Sequence, residues 1–366
     1  MTNPLIGAIR WDGWYSSNLQ SIAACSAAAQ SYSDLVNYIP VHWSQSNAKA
    51  IPHDVTQSVI DAEIIAAHRL GVDYFAWLIY GTIPGDPTYN SELRAAWNLY
   101  HSSSVISNVK WAAMIQPASC GSWLTSTIGD QLFSSQIAVI VSYFQQTSYQ
   151  YVTISGTSRP ILYIFWVTSD LAKWNNSLSN FGAFITALRV ACTSASVQNP
   201  YIVIMNWGDA TVATGVGADA ISSYAPPVTL TQNMTYSDYC TAISGSPSSS
   251  LTHTPGSGFW DTCKTRAGAS LSVVPNASAG WTSIGRTRRP ETWSLKTTRP
   301  RVGSLATVTR PTATELKNHI NQANSFIAAN QVCCPANTMV LYAWNEWMEG
   351  NGIGPTFANP TGQSLI

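Results

Sequence analysis

Apolar and polar positions along this chain fall into two alternating rhythms. Short, almost continuously apolar runs, such as Val72-Asp73-Tyr74-Phe75-Ala76-Trp77-Leu78-Ile79-Tyr80, read as strands buried on both faces, as in a parallel sheet. Such runs stand at 6–11, 72–80, 110–116, 160–166, 201–207, 218–224, 271–274 and 339–344. Between them the apolar period lengthens to about 3.6. The first strong helix is expected to start at Asp54, with Gln57 three residues on as a capping box. Its apolar stripe is read as Val55, Val59, Ala62, Ala66 and Leu70, with Gly71 as the stop. Further helices are expected near 91–103, 129–146, 180–194, 235–243 and 313–329. The last opens on Thr312 and Glu315 as a capping box, and its stripe is Leu316, Ile320, Ala323 and Ile327.

Strands alternating with helices predict a parallel α/β architecture, and eight of them predict closure into a single (β/α)8 TIM barrel. The expected domain is the whole chain, 1–366, with a core over about 5–350 and a tail over 351–366. Two segments break the rhythm. Residues 225–268 carry Pro226-Pro227, Ser246-Pro247 and Pro255-Gly256. Residues 286–310 gather Arg286, Arg288, Arg289, Lys296, Arg299, Arg301 and Arg310 against one acid, Glu291. They follow the sixth and seventh strands and are expected as long loops on the catalytic face, either walling substrate or simply solvated.

Composition narrows the class. Charged residues make up 10% of the chain, against roughly 25% in an ordinary soluble domain. Ser, Thr, Asn, Trp and Tyr stand in their place. Hydroxyl- and amide-rich surfaces are commoner outside cells, and flat aromatic faces suit the apolar face of a pyranose ring. Formal net charge is zero, which argues against a general nucleic-acid partner. No run reaches the length of about 18 apolar residues that a membrane span needs. Met1-Thr2-Asn3-Pro4 lacks the basic start of a secretion signal, so the localisation expected is extracellular or virion-associated, as for a phage protein released by lysis. Seven cysteines show no zinc spacing, and none of the six histidines forms an H-E-x-x-H; no metal and no cofactor is expected.

Chemistry concentrates at the end of the eighth strand, in Leu341-Tyr342-Ala343-Trp344-Asn345-Glu346-Trp347-Met348-Glu349-Gly350. The chain has only six glutamates, and two fall here among aromatics. On a continuing strand, residues three apart point to opposite faces. In one helical turn they face the same way, about 5–6 Å apart at Cβ. Two close carboxyls split their pKa values, one keeping a proton while the other stays anionic. Glycosidic cleavage needs that division. Glu346 and Glu349 are therefore the candidate catalytic pair. Other candidates at strand ends, for substrate binding, are Asp12, Trp14, Tyr15, Trp77, Tyr80, Gln116, Trp166, Asn206, Trp207, Tyr224, Trp281, Arg286, Trp344, Asn345 and Trp347. Barrel packing is the ordinary alternative for each.

The segment from Ala343 to Gly350 resembles the A-W-N-E-W-x-E-G signature of the WbsX-type, glycoside hydrolase family 99-like proteins. Three other stretches resemble that family in the same order: Arg10-Trp11-Asp12-Gly13-Trp14-Tyr15, the helix and G-V-D-Y-F strand from Ala62 to Tyr80, and Gly217-Ala218-Asp219-Ala220-Ile221-Ser222-Ser223-Tyr224. Trp281 and Arg286 sit where the family has W-x-N-x-x-R, with Ser283 replacing its Asn. After Gly350 the likeness stops: Asn351-Gly352-Ile353 stands where relatives often carry an acidic stretch. The resemblance implies a (β/α)8 barrel cleaving α-linked sugars with retention. It gives Glu346 the role of a base on the sugar's own 2-hydroxyl and Glu349 that of general acid/base. Three readings stay open: a retaining endo-type glycoside hydrolase on an α-linked polysaccharide or glycan, a non-catalytic carbohydrate-binding protein on an adhesin or virion, and a glycosyltransferase, which no nucleotide-phosphate motif supports. The expected partner is carbohydrate, an anionic one if the basic segment borders the mouth, with other virion proteins under the second reading.

Overall fold

The apolar runs lie side by side in parallel. The computed structural model describes residues 3–13, 15, 44–46, 49–51, 54–79, 91–117, 131–225, 227–228, 234–282, 307–345 and 352–354. Its barrel strands are β1 (Leu5–Arg10), β2 (Tyr74–Ile79), β3 (Lys110–Ile115), β4 (Thr157–Phe165), β5 (Tyr201–Met205), β6 (Ala220–Ser222), β7 (Ser272–Val273 continued by Asn276–Ser278) and β8 (Thr338–Tyr342). Each pairs in parallel with the next, and β1 pairs with β8. Closure falls within β7, whose first run lies on β6 and whose second lies on β8. Pro275 has no N–H to give, so regular pairing lapses between them. Its carbonyl still accepts from Val340 N at 3.0 Å, and Val274 N donates to Ile221 O at 3.0 Å. The ring is complete: this is a (β/α)8 TIM barrel.

Eight helices are described around it: α1 (Gln57–Arg69), α2 (Ala95–His101), α3 (Gln131–Phe144), α4 (Leu178–Ser194), α5 (Ala210–Val216), α6 (Tyr236–Ser244), α7 (Phe259–Ala267) and α8 (Ala313–Ala329). Strand parity decides what enters the lumen. Residues paired across parallel strands point the same way, and register sets Gly7 beside Tyr74 and Met114 beside Tyr163. The Tyr74 hydroxyl meets those of Tyr163 (2.6 Å) and Thr338 (2.9 Å), so β2, β4 and β8 touch across the barrel floor. Gly7 leaves room for this, since a Cβ there would lie 2.4 Å from the Tyr74 ring. The lumen is a packed core, not a pore.

The same parity sends alternate residues outward to the helices. Asp73 accepts from Ile6 N (2.7 Å), and Asp219 accepts from Ile202 N (2.9 Å), Arg159 (2.7 Å) and Arg189 (2.8 Å). Both carboxylates stand just before their strands, at the end away from the mouth, where they tie neighbouring strand starts together. The aspartates of the G-V-D and G-A-D stretches are therefore floor clamps.

Three expectations change. Helix α1 starts at Gln57 with Thr56 as N-cap and no side-chain capping bond, so Asp54 and Gln57 form no capping box. Its fully buried face is Ile60, Glu63, Ile64 and Ala67; of the expected stripe Leu70 is buried and Val55 and Ala66 pack partly buried on the core, while Ala62 is exposed. The helix is rotated because Glu63, although ionisable, has buried partners in Arg10 of β1 and in Tyr15. Third, much of the segment after β6 is packed helix. The Ser244 hydroxyl donates to Gln322 (2.6 Å), Asn318 donates to Ser248 O (2.9 Å), and the Gln322 amide donates to Pro247 O (2.8 Å), seating α6 and its following turn on α8. By contrast α8 is as read, with the Thr312–Glu315 capping box in place. Beyond β7, Trp281–Thr282 pairs antiparallel with Thr307–Val308. Residues 283–306, with most of the basic run, lie outside the described residues. No described helix is long and apolar enough to cross a membrane.

Candidate active site

The carboxyl ends of β1 and β8 are joined by side chains where main-chain pairing gives out. Trp344 N still donates to Ile9 O at 2.7 Å. One residue later the Asn345 amide takes over: its Oδ1 accepts from Trp11 N (2.8 Å), and its Nδ2 donates to Trp11 O (2.6 Å). A side-chain amide thus copies one more rung of the ladder. Its Nδ2 also reaches the Tyr15 hydroxyl at 3.2 Å, which donates to Glu63 Oε2 at 2.9 Å.

Behind this clamp lies a buried ion cluster. Arg10 gives Nη1 to Glu63 Oε2 (2.8 Å) and Nε to Asp12 Oδ1 (3.3 Å), while Trp77 Nε1 donates to Asp12 Oδ2 (3.1 Å). The guanidinium carbon lies over the rings of Trp77 (4.5 Å), Tyr15 (4.8 Å) and Phe75 (5.0 Å), a desolvated cation–π cage. Its Nη2 has no hydrogen-bond partner among the described residues. One cation therefore faces two carboxyls in a dry site. Burial raises Asp12 from its ordinary 3.8 to about 7, against the opposing pull of Arg10.

That shift makes a pH prediction. Asp12 holds its proton in the folded chain above the point where the unfolded chain releases it. Its contribution to stability is full below the unfolded value of 3.8 and is lost as pH rises through about 7. Denaturant unfolding at a series of pH values from about 4 to 8 should show this fall in the wild type and a flatter curve in Asp12→Asn. Equal slopes in both proteins would assign the dependence elsewhere.

Residues 352–354 are held back against the end of β8. Ile353 N donates to Ala343 O (3.0 Å), Gly354 N donates to Trp344 O (2.9 Å), and the Arg310 guanidinium reaches Gly352 O (3.4 Å). Residues 346–351 lie between these two anchors in the chain. Glu346 and Glu349, together with Trp14, Tyr80, Arg286 and Trp347, are outside the described residues.

The remaining candidates separate by parity. Gln116 continues the inward series of Ala112 and Met114 and is half-buried. Tyr224 lies in the lumen with its ring 4.1 Å from Phe165 and 5.1 Å from Tyr342 between centroids; these three form an aromatic layer near the mouth. Trp77 points outward against Trp97 and Tyr100 of α2, and Trp166 against Phe181 of α4. Trp344 packs on Phe75, while Asp12, Tyr15 and Asn345 belong to the clamp. Asn206 is half-buried, Trp207 exposed, and Trp281 half-buried in the short pair with Val308. Sequence reading passed over Arg10 and Glu63. The signal available was an acid on a helix face shared with Ile60, Ile64 and Ala67. Asn276, part of a glycosylation-like triplet, is buried in β7 and donates to Ser223 O (2.8 Å), so the folded chain withholds it.

No protein-family model matches the chain, and no curated protein matches its sequence. Among solved structures it is similar to a family 99 endo-alpha-mannosidase from Bacteroides thetaiotaomicron, at 15% identity and a TM-score of 0.49, over 97% of this chain and 88% of that one. A chitinase from the same organism overlaps 100% of this chain and 97% of its own at 10% identity and a TM-score of 0.43. The exo-beta-1,4-mannosidase Op5Man5 from Opitutaceae bacterium strain TAV5 overlaps 99% of this chain and 57% of its own, at 10% identity and a TM-score of 0.44. The barrel assignment stands on the strand pairing itself.

Proposed function

We propose that this protein is a retaining endo-type glycoside hydrolase acting on an α-linked polysaccharide or glycan. The observation that carries the reading is the double anchoring of the chain around residues 346–351: Asn345 pinned to Trp11 on one side, Ile353 and Gly354 pinned to Ala343 and Trp344 on the other. Barrel enzymes do their chemistry at the carboxyl ends of strands. The six residues between these anchors in the sequence carry two of the chain's six glutamates. In this reading Glu346 takes the proton of the sugar's 2-hydroxyl as that oxygen attacks the anomeric carbon. Glu349 protonates the departing oxygen, and the glycosidic bond breaks. Glu349 then removes a proton from water, which attacks the same carbon and opens the three-membered ring, with the 2-oxygen recovering its proton from Glu346. Two inversions leave the configuration retained.

NMR of the products within the first minutes of digestion tests the mechanism, because the anomer formed first is visible before mutarotation. The α-anomer is expected. A β-anomer as first product would mean single-step inversion and remove the proposed role of Glu346.

A further inference from the structure

Trp207 ends the β5 side of the barrel mouth in a conformation that bulky residues avoid. Its φ is +46°, in the left-handed region where a side chain is strained. The turn around it is held from several sides. Gly208 N donates to Ser222 O (3.0 Å) and Asp209 N to Asn206 O (2.8 Å). The Asp209 carboxylate caps α5 through Thr211 N (2.8 Å). Gly208, at φ +70°, sits so close to α7 that a Cβ would lie 2.5 Å from Cys263 Sγ. The Arg266 guanidinium of α7 faces the carbonyls of Trp207 and Gly208 at 3.4 and 3.5 Å. All this support leaves Trp207 40% exposed. Strain of this kind persists only where the surroundings hold it, and it gathers at ligand-binding sites.

The position and the size of the exposed surface indicate the occupant. β5 lies across the eight-stranded ring from β1, so Trp207 stands on the same face as the Asn345 clamp and opposite it. Among the described residues its ring stacks on no other. Among the described residues it is the one exposed aromatic, and the other large apolar side chains that stand exposed, Val190, Leu251 and Val332, belong to other segments. A protein partner needs a contiguous surface of several hundred Å². One flat indole flanked by an amide and a carboxylate instead matches one pyranose ring, its apolar face on the ring and its hydroxyls turned to the polar neighbours.

We infer that Trp207 is a distal sugar platform, gripping a unit of an extended glycan on the far side of the mouth from the Asn345 clamp. The substrate class rests on the hydrolase reading, but the platform needs only binding. The test is affinity electrophoresis through gels cast with mannan, dextran or amylose, run with wild type, Trp207→Ala and Trp207→Phe, and thermal midpoints measured alongside. Wild type should be retarded by at least one polymer. Trp207→Ala should lose about tenfold in affinity, the scale of one lost ring contact, and Trp207→Phe should keep most of it at an unchanged midpoint. The same ratios are expected in a Glu349→Gln background. They hold whether or not the wild type cleaves, so absence of hydrolysis with Trp207-dependent retardation would sink the hydrolase reading and leave the platform standing. Equal retardation of wild type and Trp207→Ala, or no retardation of wild type by any of the three polymers, would overturn the platform.

Discussion

Glu349→Gln is expected to cut turnover by roughly 10²–10⁴, the range for losing a positioned general acid. The amide keeps the shape and can still hydrogen-bond, so sugar binding should persist. The loss should shrink on aryl glycosides, whose leaving groups need little protonation as the bond breaks. Glu346→Gln should damage aryl and natural substrates alike, because attack on the anomeric carbon depends on that base in both. A steady-state comparison of the two variants on both substrate types reads this directly. If both variants lose activity in the same ratio on both substrates, the division of roles is wrong.

The second large effect is on stability. Glu63→Ala removes the short partner of Arg10 and leaves the guanidinium with Asp12 at 3.3 Å in a site closed to water. Breaking one side of a buried pair costs about 3–5 kcal/mol, whereas replacing both sides with apolar groups of similar volume is often neutral. Denaturant midpoints should therefore fall steeply for Glu63→Ala and recover much of the loss in the double variant Arg10→Met with Glu63→Met. The cluster also supports the clamp, since Glu63 accepts from Tyr15, and Tyr15 accepts from Asn345. If the double variant is as unstable as the single, the cost lies in lost packing around the ring cage and not in a stranded charge.

Much of the barrel was legible in the chain because strands buried on both faces leave an apolar run that few other structures produce. Strand ends were read one or two residues long, since apolar residues continue past the last pairing: Trp11, Trp166 and Tyr224 follow their strands without belonging to them. The face of α1 was misread for a physical reason. Periodicity counts Glu63 as solvent-facing, and only the third dimension supplies Arg10 and Tyr15 as partners. Parity across the strand ends was equally hidden. Trp77 and Trp166 have the composition of a sugar site, but register sends them outward beneath α2 and α4, while Phe165 and Tyr342 enter the lumen. Asn345 was singled out beside the glutamates as a substrate contact. Its tie to Trp11 spans 334 positions of sequence, a distance no local pattern reports.

The central claim is that the glutamates following this clamp cleave glycosidic bonds. The direct measurement is release of reducing ends from a panel of α-linked polysaccharides by wild type and by the Glu346→Gln, Glu349→Gln double variant. The account predicts release from at least one polymer by wild type and none above background by the double variant. Tight binding of a polymer by wild type with no reducing ends released from any of the panel would contradict it and leave a carbohydrate-binding barrel without catalysis.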